Sequence, residues 1–138
     1  MTMQDVTLLI GRLLLLVLYV VSGLGKWGDL SGTAATIAGK GFPLPYLCAV
    51  LAATLEVAGA LAIAFGVAVR PTAAALFAYT LVTAFVFHAF WGLPGEAAAK
   101  MQSLHFMKNL GLAGGFLMLA SMGAGRFSLM RPSSRLSA

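Results

Sequence analysis

Arg12, Glu56, Lys108 and Asn109 stand inside runs of apolar residues long enough to cross a bilayer. A charge deep in hydrocarbon costs about 2.5–3.5 kcal/mol on insertion scales, so such side chains pair between helices or line a wetted cavity. Lys26, His88 and His105 stand near the ends of the same runs. The chemistry these types supply is proton transfer through a carboxylate and an imidazole, with hydrogen-bond donation to carbonyl or anionic oxygen from Lys, Arg and Asn. Glu56 and His88 are accordingly the candidate catalytic groups. Arg12, Lys26, Lys108, Asn109 and the aromatic Trp91 are the candidate ligand contacts.

Their spacing sorts them into two groups. Arg12, Tyr19, Gly23 and Lys26 follow one another at separations of 7, 4 and 3, which places them on one helix face. Counting rise from the ends of the runs puts Arg12 roughly 9 Å from one membrane surface and Glu56 roughly 15 Å from the other, leaving a gap of roughly 6 Å across a 30 Å layer. An Arg12–Glu56 ion pair is therefore expected, the alternative being that Arg12 snorkels to the headgroups. In the second group His105 shares a face with Lys108 and Asn109. With His88 and Lys26 these groups are expected to line an outward-facing vestibule whose floor is Glu56, the alternative being that they simply hydrate at the interface.

The elements that must hold these residues are four helices, over about residues 6–24, 46–69, 72–91 and 104–122. Each run is about 20 residues, the length that matches a hydrocarbon layer at 1.5 Å per residue. The chain is 138 residues long, 60% hydrophobic and 9% charged, so nine Lys and Arg with four Asp and Glu cannot solvate four apolar helices. That excludes a water-soluble bundle. The first run has no basic residue ahead of it and carries Arg12, so it is expected to be retained as a helix and not cleaved as a signal peptide. The fold expected is an all-α integral membrane four-helix bundle, a single domain running up-down-up-down.

Charge and turn residues add the topology. The basic residues give a net charge of +5 but form no basic face, which argues against nucleic acid as a partner. Arg70, Arg126, Arg131 and Arg135 fall on the side of the termini, against Lys26, Lys40 and Lys100 with Asp29 and Glu96 opposite, a bias that predicts both termini in the cytoplasm. Trp27 and Trp91 fall at the predicted outer boundary, where indole rings favour the headgroups. In the first loop, residues 30–38 predict a short interfacial helix capped by Ser31 or Thr33, ended by Gly39, Gly41, Pro43 and Pro45. Pro71 after Arg70 predicts a tight hairpin between the second and third spans, and residues 92–103 a loop.

Small residues predict the packed faces. Ala49, Ala52, Ala53, Glu56, Gly59 and Ala60 form one stripe, and Gly111 and Gly115 have G-x-x-x-G spacing. Cys48, the one cysteine, excludes an internal disulfide and is expected to be a packing residue. Neither histidine has a ligand-spaced partner and no serine sits in a nucleophile elbow, so no metal, haem, flavin or hydrolase centre is expected.

Taken in order, Arg12-Leu-Leu-Leu-Leu, Ser22-Gly-Leu-Gly-Lys26-Trp27, Lys40-Gly-Phe-Pro-Leu-Pro45 and Leu55-Glu56-Val-Ala-Gly59 resemble the DoxX family of small four-helix membrane proteins. Val69-Arg70, the stretch from Phe87-His88 to Trp91, Phe106-Met-Lys108-Asn109, Gly114-Gly115 and Gly123-Ala-Gly-Arg126-Phe-Ser-Leu129 continue the likeness over nearly the whole chain. The resemblance implies a multi-pass protein of a bacterial inner membrane. It also implies a polar, quinone-contacting site at Arg12, Glu56, His88, Lys108 and Asn109, because the family takes its name from a membrane subunit of a thiosulfate:quinone oxidoreductase.

The residues themselves fit three roles. In the first, a quinone lies against Phe85, Phe87, Phe90 and Trp91, receives hydrogen bonds from His88, Lys108 and Asn109, and exchanges protons through Glu56. With no cluster ligands, C-x-x-C pair or flavin fingerprint in the chain, such a subunit needs an electron-donating partner protein in the membrane. In the second role the chain is a membrane anchor whose buried charges fix helix register. In the third, Arg12, Lys26 and Lys108 carry a small anion across.

Overall fold

A computed structural model describes residues 2–130. Arg131 and Arg135, which contribute to the charge bias above, lie outside the described residues. Five helices follow in order: α1 (Met3–Gly28), α2 (Leu30–Ala38), α3 (Pro45–Phe65), α4 (Val69–Phe87) and α5 (Glu96–Met122). The four long helices are the predicted spans and α2 is the predicted short helix. No strand occurs among the described residues.

Helix ends differ from the apolar runs because capping and propensity, which hydropathy does not see, set them. Thr2 and Asp5 form a capping box, with the Thr2 Oγ1 accepting from the Asp5 N–H at 3.2 Å and Asp5 Oδ2 accepting from the Thr2 N–H at 3.0 Å. That starts α1 before the apolar run. Asp29, and not Ser31 or Thr33, caps α2: its Oδ1 accepts from the Gly32 N–H at 2.8 Å. α5 opens at Glu96, inside the predicted loop, because Glu96-Ala-Ala-Ala-Lys100 is a strong helix former with an i,i+4 ion-pair spacing.

Between α3 and α4 the hairpin is tight, but it lies earlier than predicted. Gly66, at φ 73°, closes α3 in a Schellman motif with Val67 N–H donating to Ala62 O and Gly66 N–H to Ile63 O. Pro71 consequently falls in the first turn of α4 and not at the bend. α4 ends at Phe87, so His88, Ala89, Phe90 and Trp91 leave the helix that was expected to include them.

α1 packs on α3, α3 on α4, and α4 most extensively on α5, which touches α1 lightly and closes the ring. The main core joins Leu16 and Tyr19 of α1 to Ile63, Leu76 and Phe116, with the Tyr19 and Phe116 rings edge to face at 5.0 Å. A smaller cluster of Ala34, Ile37 and Ala49, with Cys48 packed against it, docks α2 on α3. Cys48 is thus a packing residue.

The predicted stripe of α3 is buried at Ala49, Ala53, Glu56, Gly59 and Ala60, with Ala52 half-buried at its edge. Of the glycine pair on α5, Gly115 packs against Leu15, where an added Cβ would meet Leu15 Cδ1 at 3.0 Å, but Gly111 faces open space. Outside, Leu14, Val17, Val21, Leu51, Val82 and Leu117 are exposed. In water that surface would be a large apolar liability; in a bilayer it is the lipid face. α1, α3 and α4 are each long and apolar enough to span, and α5 matches them in length while carrying His105, Lys108 and Asn109.

Candidate functional site

The buried polar groups separate into one cluster at the end of the bundle where α1 begins and α5 ends, and one toward the opposite end. Arg12 belongs to the first and is 3% exposed. Its Nη1 donates to Ala124 O at 2.9 Å and its Nη2 to Ala64 O at 3.1 Å and Phe127 O at 2.7 Å. Ala64 is in the last turn of α3, where carbonyls lack helical partners, and Ala124 and Phe127 follow α5. The segment they belong to folds under the hairpin, with Ser128 Oγ donating to Gly66 O at 2.6 Å and Leu129 N–H to Phe65 O at 3.0 Å. Arg12 is a clasp for three chain segments.

The expected Arg12–Glu56 pair therefore does not form, and Arg12 does not snorkel to the headgroups. Gly23 supplies the physical reason. An added Cβ there would meet Val57 Cγ2 at 2.7 Å and Glu56 Cβ at 2.9 Å, so Gly23 is where α1 and α3 touch, level with Glu56. Arg12 lies eleven residues, about 16 Å of helix, before that level, and its side chain leans further toward the N-terminus. Lys26, one turn beyond Gly23, leans back over it. Lys26 Nζ donates to both Glu56 oxygens at 2.9 Å and to Ser22 Oγ at 2.6 Å, engaging all three of its N–H groups. Tyr79 OH of α4 donates to Glu56 Oε1. The Tyr79 contribution went unread in the sequence. The signal was available, since Tyr79, Thr80 and Thr83 put three hydroxyls into one apolar helix.

A cavity of about 620 Å³ opens beside this pair. α1 contributes Leu18, Tyr19, Ser22 and Lys26, and α3 contributes Glu56. α2 and the turn after it close one side with Thr33, Thr36, Ile37 and Lys40. From α4 and its exit come Tyr79, Thr83, Phe87 and His88, and from α5 Gln102, Lys108 and Asn109. Of the predicted vestibule, Lys26, His88, Lys108 and Asn109 are assembled over Glu56, but His105, also expected there, does not line the cavity.

Local geometry fixes the orientation of several groups. His88 caps the C-terminus of α4, and its Nδ1 lies 2.9 Å from Gln102 Oε1. With the Gln102 carbonyl oxygen accepting, Nδ1 carries a proton, and Nε2 is the ring nitrogen left for proton exchange. The His105 ring stacks on that of His88 at 5.2 Å, and Lys108 Nζ lies 3.2 Å from His105 Nδ1. Asn109 is buried and its Nδ2 donates to Thr83 Oγ1 at 3.4 Å, leaving its carbonyl oxygen available. Gln102 and Lys40 are further lining residues that sequence reasoning did not include, Gln102 because residues 92–103 read as loop.

Two expected ligand contacts lie elsewhere. Arg12 lines a separate groove of about 320 Å³ between α1 and α5. Trp91 is exposed, with its ring 5.7 Å from Phe106 and 6.3 Å from Phe85, in an aromatic cluster that does not line the cavity. Its displacement follows from the end of α4 at Phe87. Phe85 and Phe90 belong to that cluster, so of the four aromatic side chains expected against a quinone only Phe87 lines the cavity. Among the described residues no group of three His, Cys, Asp or Glu side chains is placed to hold a metal ion. The arrangement that is present can hydrogen-bond a polar headgroup from several sides and pass protons through a carboxylate, a phenol and an imidazole.

Comparison with known proteins agrees with the helical architecture. A family model described as DoxX matches residues 7–89. Inner membrane protein YphA of Escherichia coli (strain K12) is 37% identical over 128 residues, covering 93% of this chain and 91% of that protein. Inner membrane protein YqjF of the same strain is 39% identical over 135 residues, covering 94% and 93%. No solved structure matches the chain.

Proposed function

We propose that this chain, which belongs to the DoxX family and is an inner-membrane protein, serves as a quinone-binding subunit of a membrane oxidoreductase. The observation that carries the proposal is the cavity of about 620 Å³ in which Glu56, His88, Lys108 and Asn109, from three different parts of the bundle, meet beside apolar side chains. Its volume lies within the range of small-molecule sites, and the mixture of a few oriented polar groups with Leu18, Ile37 and Phe87 suits a ring bearing two carbonyl oxygens. In this role His88 Nε2 and the Glu56–Tyr79 pair exchange the two protons that accompany two-electron reduction. A partner protein in the membrane supplies the electrons.

A membrane-anchor role fits Arg12, whose hydrogen bonds all go to the chain's own backbone. It gives no reason for an oriented polar cavity at the other end. Gentle purification from the native membrane, followed by extraction and mass spectrometry of bound lipids and quinones, tests the choice. The expected result is a quinone retained by the wild type and lost, per folded molecule, in Glu56→Gln and His88→Ala. Absence of quinone from the wild type, with no dehydrogenase-type partner, refutes the proposal.

A further inference from the structure

Resting on that quinone reading, we infer that the cavity takes its ligand in an ionised form, as a quinolate or hydroxyquinone whose anionic oxygen is held by the ammonium groups of Lys40 and Lys108. The charges lining the cavity are Lys26, Lys40, Lys108 and Glu56. Lys26 and Glu56 neutralise each other through two contacts of 2.9 Å. That is the one ion pair among the described residues, so the other two lysines of the lining have no carboxylate partner there. Lys40 follows α2, and Lys108 belongs to α5 with His105 Nδ1, an uncharged acceptor, as its contact.

The remaining polar groups cannot take over this role. The Asp29 carboxylate already caps α2. Thr33 and Thr36 donate their hydroxyl protons to Asp29 O and Gly32 O at 2.9 and 3.0 Å, so toward the cavity they offer lone pairs and no positive charge. Both lysines are exposed, and the low-dielectric walls of the cleft they line focus their field into it. A neutral quinone leaves that charge uncompensated, whereas a ligand with one ionised oxygen meets it. Phe87, Ile37 and Leu18 supply the apolar wall for its ring.

A phospholipid headgroup also presents anionic oxygen, and the test must separate it from a quinolate. The full chain is placed in phosphatidylcholine nanodiscs and titrated calorimetrically with 2-hydroxy-3-methyl-1,4-naphthoquinone, an acid ionised at neutral pH. The comparison ligand is 2,3-dimethyl-1,4-naphthoquinone, of nearly the same shape and neutral. The ionised compound is expected to bind at least about tenfold more tightly. Lys40→Gln is expected to reduce that preference several-fold while leaving the neutral compound unaffected; Lys108→Gln, which also removes a donor to a quinone carbonyl, is expected to weaken both compounds and the ionised one by several-fold more.

Equal affinities overturn the inference and leave the quinone reading standing; binding of neither compound overturns both. Native mass spectrometry of protein purified with phosphatidylglycerol present covers the other source. Retention of that lipid by the wild type and its loss from the Lys40→Gln/Lys108→Gln variant, with the two naphthoquinones bound equally, assigns the lysines to lipid phosphate and overturns the inference.

Discussion

Arg12 and Glu56 are equally buried, each 3% exposed, yet their surroundings differ in kind. Around Arg12 the partners are three backbone carbonyls fixed by helix ends, and the groove it lines is otherwise almost wholly apolar. Around Glu56 the partners are side chains, Lys26 and Tyr79, and the pair borders a polar cavity. Backbone partners cannot leave without unfolding their segments, whereas side-chain partners can exchange for a ligand. Burial of a charge therefore does not by itself mark a functional site. The kind of partner is the difference that matters: three backbone carbonyls make Arg12 a clasp, whereas side-chain partners leave Glu56 able to exchange contacts.

The largest expected effect comes from breaking the clasp. Arg12→Leu leaves Ala64, Ala124 and Phe127 carbonyls without donors, and at about 1–3 kcal/mol for each unmet buried group the loss reaches several kcal/mol. We expect a strong fall in membrane abundance and in Tm in detergent, with unchanged quinone content per folded molecule. Wild-type abundance and Tm would place Arg12 outside the structural framework and remove the contrast.

Reading the sequence recovered the four long helices, the short second helix and the residues of the vestibule except His105, because each depends on local pattern: apolar length, proline and glycine punctuation, and charges in apolar runs. The pairing of those charges did not follow. Depth counted from the ends of apolar runs carries an error of a turn or more at each end, as the capping box at Thr2 and the Glu96 helix start illustrate. That error exceeds the roughly 6 Å on which an Arg12–Glu56 pair was expected. Gly23 held the missing information, since the closest approach of two helices fixes which side chains lie level. Its presence was legible, but its contact with Glu56 was not.

Separating Lys26 from Glu56 should cost less than breaking the clasp. Glu56→Gln leaves an ammonium group without its counter-charge and Lys26→Met leaves a buried carboxylate, while the double variant removes both problems. A double-mutant cycle should give a coupling of about 1–3 kcal/mol, with the double variant more stable than the sum of the singles predicts. Quinone retention should fall in all three. Additive stability losses would mean that the 2.9 Å contacts contribute no coupling, and the cavity would then border two independent charges.

Gly23→Ala tests the positioning of that pair. Its Cβ would fall 2.7 Å from Val57 Cγ2 and 2.9 Å from Glu56 Cβ, so α1 must move off α3, at a cost of about 1–3 kcal/mol. The displacement shifts Lys26 relative to Glu56, so ligand affinity should fall together with Tm. Gly111→Ala, which meets nothing within 4 Å, is the matched control and should leave both unchanged. Equal effects from the two substitutions would show that glycine backbone freedom, and not helix contact, is what matters at position 23.

Thr80→Val should have the smallest effect, and it probes where the two regions meet. Thr80 donates its hydroxyl proton to Leu76 O, so the Tyr19 hydroxyl must donate to the Thr80 oxygen. Removing that acceptor from a sealed core would orphan a phenolic donor at about 1–3 kcal/mol. Tyr19, however, also lines the cavity, and its ring packs on Phe116 of the main core. We expect Tm to fall by the equivalent of about 1 kcal/mol or less, because water entering from the cavity can accept the phenol proton. A loss near the upper figure would mean that the dry region extends past Tyr19 and that the polar site ends at Glu56 and Tyr79.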